Sequence, residues 1–142
     1  MTNKMKNAAI NASGHFALYV NENGNGEVLV ATSRLVMDLS SDHSYIAGWA
    51  SEVLTAQGID IYIAKKIEAN KTYAFEKGAV GGNYNPKNFQ GASWDSISEG
   101  GSVTIDEVDL VNGTVKGSFK FTARSLDNSQ FADVRGNFNL RK

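Results

Sequence analysis

The sequence predicts an all-β fold: a single-domain antiparallel β-sandwich with at most one short helix. Three observations carry that expectation. Apolar side chains recur at every second residue along much of the chain. Asn-Gly pairs and Gly-rich stretches punctuate these runs. Only Trp49–Gln57 offers a helical spacing, and a single proline, Pro86, leaves strands free to occupy the rest. Successive strand side chains point to opposite faces, so a period of two gives one dry face and one wet face. That is the signature of antiparallel sheets.

Residues 1–12 are expected to form a disordered N-terminal tail. Phe16, Leu18 and Val20 then alternate with Ala17 and Tyr19 as a first strand. The stretch YVNENGNGEV, residues 19–28, follows. Asn21, Asn23, Asn25 and Gly26 come close to the opening of a calcium loop. A loop of that type needs a carboxylate at its first position and a bidentate Glu at its twelfth, which here are Asn21 and Thr32. The flanks alternate with period two, so the stretch is expected to be a hairpin bend at Asn25–Gly26 and not a metal site. Leu35, Met37 and Leu39 mark the next strand.

Trp49, Val53 and Ala56 share one helical face, with Gly58 as the residue after the helix. Trp49, Ser51 and Val53 also alternate, so strand competes there. Ile59, Ile61 and Ile63 alternate with Asp60 and Tyr62. Lys77–Ser93 then breaks the rhythm with Gly78, Gly81, Gly82, Pro86 and Gly91, and is expected to be a long irregular connection. Ser102–Leu110 and Thr114–Arg124 should pair as a hairpin across Asn112–Gly113. The apolar phase changes from Val103 and Ile105 to Val108 and Leu110, which predicts a bulge at Asp106–Glu107. Phe138 and Leu140 mark the last strand.

A chain of 142 residues fits one domain, residues 1–142, with a core of its own. The formal net charge is −1, from 14 basic and 15 acidic residues, so no basic stripe points to nucleic acid. The chain has no cysteine, which excludes disulfides, thiolate metal sites and a cysteine nucleophile. No run approaches the ~20 apolar residues of a membrane-spanning helix. Lys4 and Lys6 resemble the start of a signal peptide, but Asn7, Asn11, Ser13, Gly14 and His15 interrupt any apolar segment. A cytoplasmic protein, or one released without a classical signal, is therefore expected.

GGSVTIDEVDLVNGTVKGSFKFTA, residues 100–123, followed by RGNFNL, residues 135–140, resembles a family of small bacterial β-rich domains. Many of that family are lipoproteins of Bacteroidetes-type bacteria. The family's C-terminal half has a G-x-V-T-I strand, a short turn, a G-x-F-x-F-T-A strand and a G-x-F strand. Gly101–Ile105, Gly117–Ala123 and Gly136–Phe138 occupy those places, and the resemblance covers about the last 85 residues. Ile59–Ile63 and Glu68–Phe75 fall where the family has a strand and a G-x-Y segment, although Asn70-Lys71-Thr72-Tyr73 replaces the usual Gly. The resemblance implies a β-sandwich and no catalytic residue. The lipoprotein cysteine is missing, so lipid attachment is not carried over.

Catalytic constellations are sparse. Asp42, His43 and Ser44 are adjacent in sequence, where a triad needs side chains that converge. His15 and His43 would have to meet a carboxylate to hold a metal. Asp106, Glu107 and Asp109 cluster, as do Asp95 and Glu99. Glu107 and Asp109 share one strand face near Lys116 and Lys120 and fit a solvated sheet face. The GAVGG run at 78–82 lacks the Lys-Ser/Thr ending of a phosphate loop. No catalytic residue, metal or cofactor is expected, and the chain is not expected to be an enzyme.

The aromatic loop is the best candidate site: Tyr84, Asn85, Phe89 and Trp94, with further amides interleaved. Flat rings with amide donors and acceptors suit sugar faces, and they equally suit a protein surface. Phe89 and Trp94 can instead pin the loop to the core. The expected function is a non-enzymatic binding module that contacts a glycan, a lipid headgroup or a protein through loops at one end of the sheets. A small membrane-active toxin or toxin component is the alternative, because amphipathic strands can form barrel hairpins. An uncharacterised enzyme is the second alternative.

Overall fold

A computed structural model describes residues 10–142 of the chain. Among them there is no helix, and twelve strands form one antiparallel hydrogen-bonded sheet. The strands are β1 (Ile10–Asn11), β2 (Ser13–Glu22), β3 (Val28–Val30), β4 (Arg34–Leu39), β5 (Ser44–Trp49) and β6 (Gly58–Ile63). The second half holds β7 (Lys71–Ala74), β8 (Val80–Asn85), β9 (Trp94–Ser96), β10 (Ser102–Asp109), β11 (Thr114–Arg124) and β12 (Phe131–Arg141).

Several of these are halves of one wall strand. β7 pairs β10 while β8 pairs β9, so β7–β8 and β9–β10 run as two neighbouring lines. β1 pairs β4 while β2 pairs β3, so β1–β2 and β3–β4 do the same. The order then runs β3–β4, β5, β6, β7–β8, β9–β10, β11, β12, β1–β2 and returns to β3–β4. The sheet therefore closes on itself as an up-and-down barrel. The register slips where β1 passes into β2, and Gly14 takes φ +125° at that corner.

The all-β antiparallel reading is what the chain adopts. Its dry interior lies between opposite sides of one curled sheet, where a sandwich would place it between two. Long twisted strands such as β11 and β12 favour that closure, which also removes the unpaired edges a sandwich keeps.

The interior is packed. A barrel of about eight wall strands is just wide enough for side chains to fill. Phe16, Leu18, Val20, Ile59, Ile61, Ile63, Val115, Phe119, Phe121, Phe138 and Leu140 point inward and are buried, as the alternation predicted. Phe119 lies 5.6 Å from Phe16 and 6.3 Å from Phe138 between ring centroids. Glycine makes room for these rings. A Cβ on Gly48 would sit 2.6 Å from the Phe16 ring, and one on Gly136 would sit 2.7 Å from that of Phe119.

Other expectations need correcting. Trp49 ends β5, and residues 50–57 form a turn-rich connection instead of a helix. Gly58 pairs with Trp49 across it and starts β6. Ile10 and Asn11 pair with Met37 and Val36, so the expected tail is already strand there. Its first nine residues lie outside the described residues.

The bend after β2 falls one pair earlier than expected. Asn23 and Gly24 both take positive φ, 56° and 72°, and Asn25 N donates to Glu22 O at 3.0 Å. Positive φ at both central residues is the turn geometry that Asn-Gly favours, set here within a longer connection whose last ladder pair is Val20–Val28. Asn21 Oδ1 accepts from Gly26 N at 3.0 Å, so this amide closes the bend. No cluster of metal-ligating side chains occurs among the described residues.

The β10–β11 hairpin and its bulge between Ile105 and Glu107 follow the prediction. Its turn does not. Only Gly113 of the Asn112–Gly113 pair has positive φ, at 69°. Asp109 caps a longer turn, accepting from Val111 N and Asn112 N at 3.0 Å each. These bonds hold the Asp109 carboxyl below the usual carboxylate range.

The largest departure is Lys77–Ser93. Val80–Asn85 is β8, a wall strand with five of its six residues buried. Glycine hid it: Gly81 and Gly82 have no side chain to show alternation, yet their backbones pair with Tyr62 and Ile61.

Candidate functional site

Strand direction alternates around the barrel, so the connections 23–27, 50–57, 86–93 and 125–130 gather at one end, here the loop end. The four residues singled out by the sequence lie at or below it. Tyr84 is 0% exposed, Trp94 is 5% and Asn85 is 8%. Phe89 is half-buried in the 86–93 connection. Tyr84 and Trp94 pair across β8 and β9 and meet edge to face at 5.6 Å. They close the interior from below instead of presenting rings to solvent. The strand pairing of β8 turns both rings inward, and this alternation was concealed by the glycines before them.

Their polar atoms tie the loop end together. Tyr84 OH donates to Glu22 Oε2 at 2.5 Å and accepts from Gln57 Nε2 at 2.8 Å. Lys87 N donates to the same Glu22 oxygen at 3.1 Å. Asn85 Nδ2 donates to Ala56 O at 3.1 Å, and Ser93 Oγ donates to Asn85 Oδ1 at 2.6 Å. Buried polar groups require such partners. Burial, followed by the bond to Glu22, pushes the Tyr84 phenol up from its ordinary value. Tyr84 and Asn85 are therefore anchors that fix the connections 50–57 and 86–93.

Above this floor stands a rim. Val28, Val53, Leu54 and Leu126 project from it, between 56% and 83% exposed. A shallow groove of about 220 Å3 separates the 86–93 and 125–130 connections, and Trp94, Gln90, Leu126 and Gln130 are among its lining residues.

A second concavity lies on the flank. The β8–β9 ladder holds only at Asn83–Asp95 and Tyr84–Trp94. Beyond it the strands part, and pairing resumes between β7 and β10. Ser96 Oγ bridges the gap by accepting from Gly82 N at 3.0 Å. The resulting cleft measures about 690 Å3 and is lined by Tyr62, Lys77, Gly82, Asn83, Asp95 and Ser98 among others.

Asp60 stiffens the cleft from behind. It accepts from Asn83 N and Nδ2 through Oδ1, both at 3.1 Å, and from Tyr45 OH through Oδ2 at 2.9 Å. Burial pushes its carboxyl above the usual range against the pull of these bonds. Tyr62 and Ser96 were not singled out by the sequence, although the alternation of IDIYI already placed Tyr62 on the wet face, and Asp95 stood out only beside Glu99 as one of two carboxylates.

The residues weighed for catalysis are dispersed. His15 is exposed on β2, opposite Asn139. His43 Nδ1 lies 2.8 Å from Asp42 Oδ1, and its Nε2 lies 3.3 Å from Asp38 Oδ2. Adjacent residues meet here because 40–43 is a turn and not a strand. Asp42 and then Asp38 push the His43 imidazole up, which favours the protonated ring over a general base. Ser44 turns inward and is buried away from them. Glu107 faces Lys116 across the hairpin, as expected of a solvated face, while Asp109 is absorbed by its turn.

No protein-family model, curated protein or solved structure matches this chain.

Proposed function

We propose that the chain is a non-enzymatic binding module that engages a glycan, lipid headgroup or protein through the connections at the loop end. The distribution of exposed apolar side chains carries this reading. Val28, Val53, Leu54 and Leu126 all stand at that end, whereas Val111 is the only large apolar side chain exposed on the 110–113 turn opposite. Exposed apolar side chains gathered in one region mark contact sites, whereas scattered ones need no explanation. The packed interior directs recognition to the outside. Tyr84, Asn85 and Trp94 contribute by holding the rim in one shape before binding, which lowers the cost of association.

The test screens the purified protein against a glycan array, phosphatidylcholine and phosphatidylglycerol liposomes, and crosslinked protein partners. The double variant Leu54→Asp/Leu126→Asp should weaken whatever binds by about tenfold or more with the fold intact. Unchanged affinity rejects the rim. Dye release from the same liposomes would favour the membrane-active alternative instead. In this fold the β10–β11 hairpin turns Val103, Ile105, Val115, Phe119 and Phe121 inward, the inverse of a membrane barrel.

A further inference from the structure

We infer that the flank cleft between β8 and β9 is a second, independent binding site, and that its ligand is the pyranose ring of a neutral saccharide. Its size falls within the range of small-ligand sites, which use a few placed polar groups on a shaped surface. The cleft is built and not incidental. β8 and β9 separate after two paired residues, and Ser96 Oγ holds them at a fixed distance by satisfying Gly82 N.

The lining matches the chemistry of a sugar. Tyr62 leans over Gly81: its hydroxyl would lie 2.8 Å from a Cβ there, so only glycine allows the ring to settle against the sheet. Tyr62 as a residue is 37% exposed, which leaves surface of the side chain for the C–H face of a pyranose. Polar groups surround it. Asn83 spends its amide N–H on Asp60 Oδ1, which orients the side chain and directs its carbonyl oxygen as an acceptor. Asp95 projects from the wet face of β9 as a charged acceptor for sugar hydroxyls, and Ser98 is exposed beside it. Lys77 supplies a donor at the lip. Directional acceptors around one exposed ring favour a polyol with an apolar face over an apolar ligand or a bare anion.

The experiment titrates the intact protein with the methyl glycosides of glucose, galactose, mannose and N-acetylglucosamine at millimolar concentration. Binding is followed by saturation-transfer NMR and by amide shifts. At least one glycoside should bind and shift the amides of Gly82, Asn83 and Ser96. Tyr62→Ala and Asp95→Ala should each weaken it by about tenfold or more, while Tyr62→Phe retains most of the affinity. Both sites are exposed, so the variants should keep the parent melting temperature, which a thermal melt checks. Leu54→Asp/Leu126→Asp should leave sugar binding unchanged, so failure of the rim and failure of the cleft are read separately. Absence of binding by all four glycosides overturns the inference. So does binding that survives Tyr62→Ala and Asp95→Ala.

Discussion

Two sides of the barrel are built differently. β11 and β12 run eleven residues each without a break and pair along their whole length. On their inner faces aromatic and aliphatic side chains are interrupted once in each strand by a glycine, Gly117 and Gly136. On their outer faces Thr122 donates to Asp133 at 2.7 Å, and Arg135 pairs with Glu27 at 2.7 Å. On the adjoining stretch of wall, next to β11, β7–β8 and β9–β10 are each interrupted midway, by residues 75–79 and 97–101. There side chains replace ladder bonds: Ser96 reaches Gly82, and Asp60 reaches Asn83. The continuous side spends its groups on its own stability. The interrupted side frees polar groups and opens a cleft. A barrel can carry such a breach because the rest of the wall holds the shape.

That contrast sets an order of effects. Phe119→Ala, on the continuous side, removes the ring that meets Phe16, Phe121 and Phe138. It should cost about 3–5 kcal/mol in denaturant unfolding, the range for a large buried aromatic. A smaller loss would mean that the aromatic cluster is not the keystone of this side.

Tyr84→Phe sits where the interrupted side meets the loop end. It deprives Gln57 and Glu22 of a partner and should cost about 1–3 kcal/mol. Tyr84 and Tyr45 also give this region an alkaline limit. Burial raises both phenols above the ordinary value of about 10. Their contribution is fully present below that pH and is lost as pH rises above it, when the unfolded chain ionises first. Thermal melts should fall steeply above about pH 10, and less steeply in Tyr84→Phe.

Ser96→Ala tests the breach itself. Leaving Gly82 N without its acceptor should cost about 1–2 kcal/mol and speed hydrogen exchange at Gly82, with Phe119 and Phe138 amides unchanged. Uniform acceleration around the barrel would erase the distinction between the two sides.

Asp60→Asn should have the smallest effect. The folded carboxyl titrates above its unfolded value, so its contribution is present below the usual carboxylate range and is lost as pH rises through the folded value. At neutral pH the charge is a net cost. The amide keeps an acceptor for Asn83 and a donor for Tyr45, so stability at pH 7 should rise by about 1 kcal/mol or less and depend less on acid. Marked destabilisation would show that the charge itself holds the cleft.

The same contrast explains what the sequence made legible. β11, β2 and β6 alternate so regularly that strand, face and core residues could be named from the residues, as could the end of β12 at Phe138 and Leu140 and the bulge in β10. The interrupted side defeated this reading. Gly81 and Gly82 have no side chain to alternate, so β8 looked like loop and Tyr84 like a ring on it. Trp94 could be read either as a contact or as a pin to the core, which is where it lies. The turns were placed only roughly, because Asn23–Gly24 and Asn25–Gly26 offer the same chemistry and only register against β12 chooses between them. The cleft was invisible for another reason. Tyr62, Asn83 and Asp95 come from three strands, and only ladder register brings them side by side.

The seam of the ring lies between β2 and β12, which places Phe16 opposite Phe138. Every strand from β2 to β12 must therefore be made before the circle can be completed. Until then β2 has an unmet edge and half of the aromatic cluster is missing. Contacts of such wide sequence separation form slowly, so joining β2 to β12 should be the slow, closing step of folding.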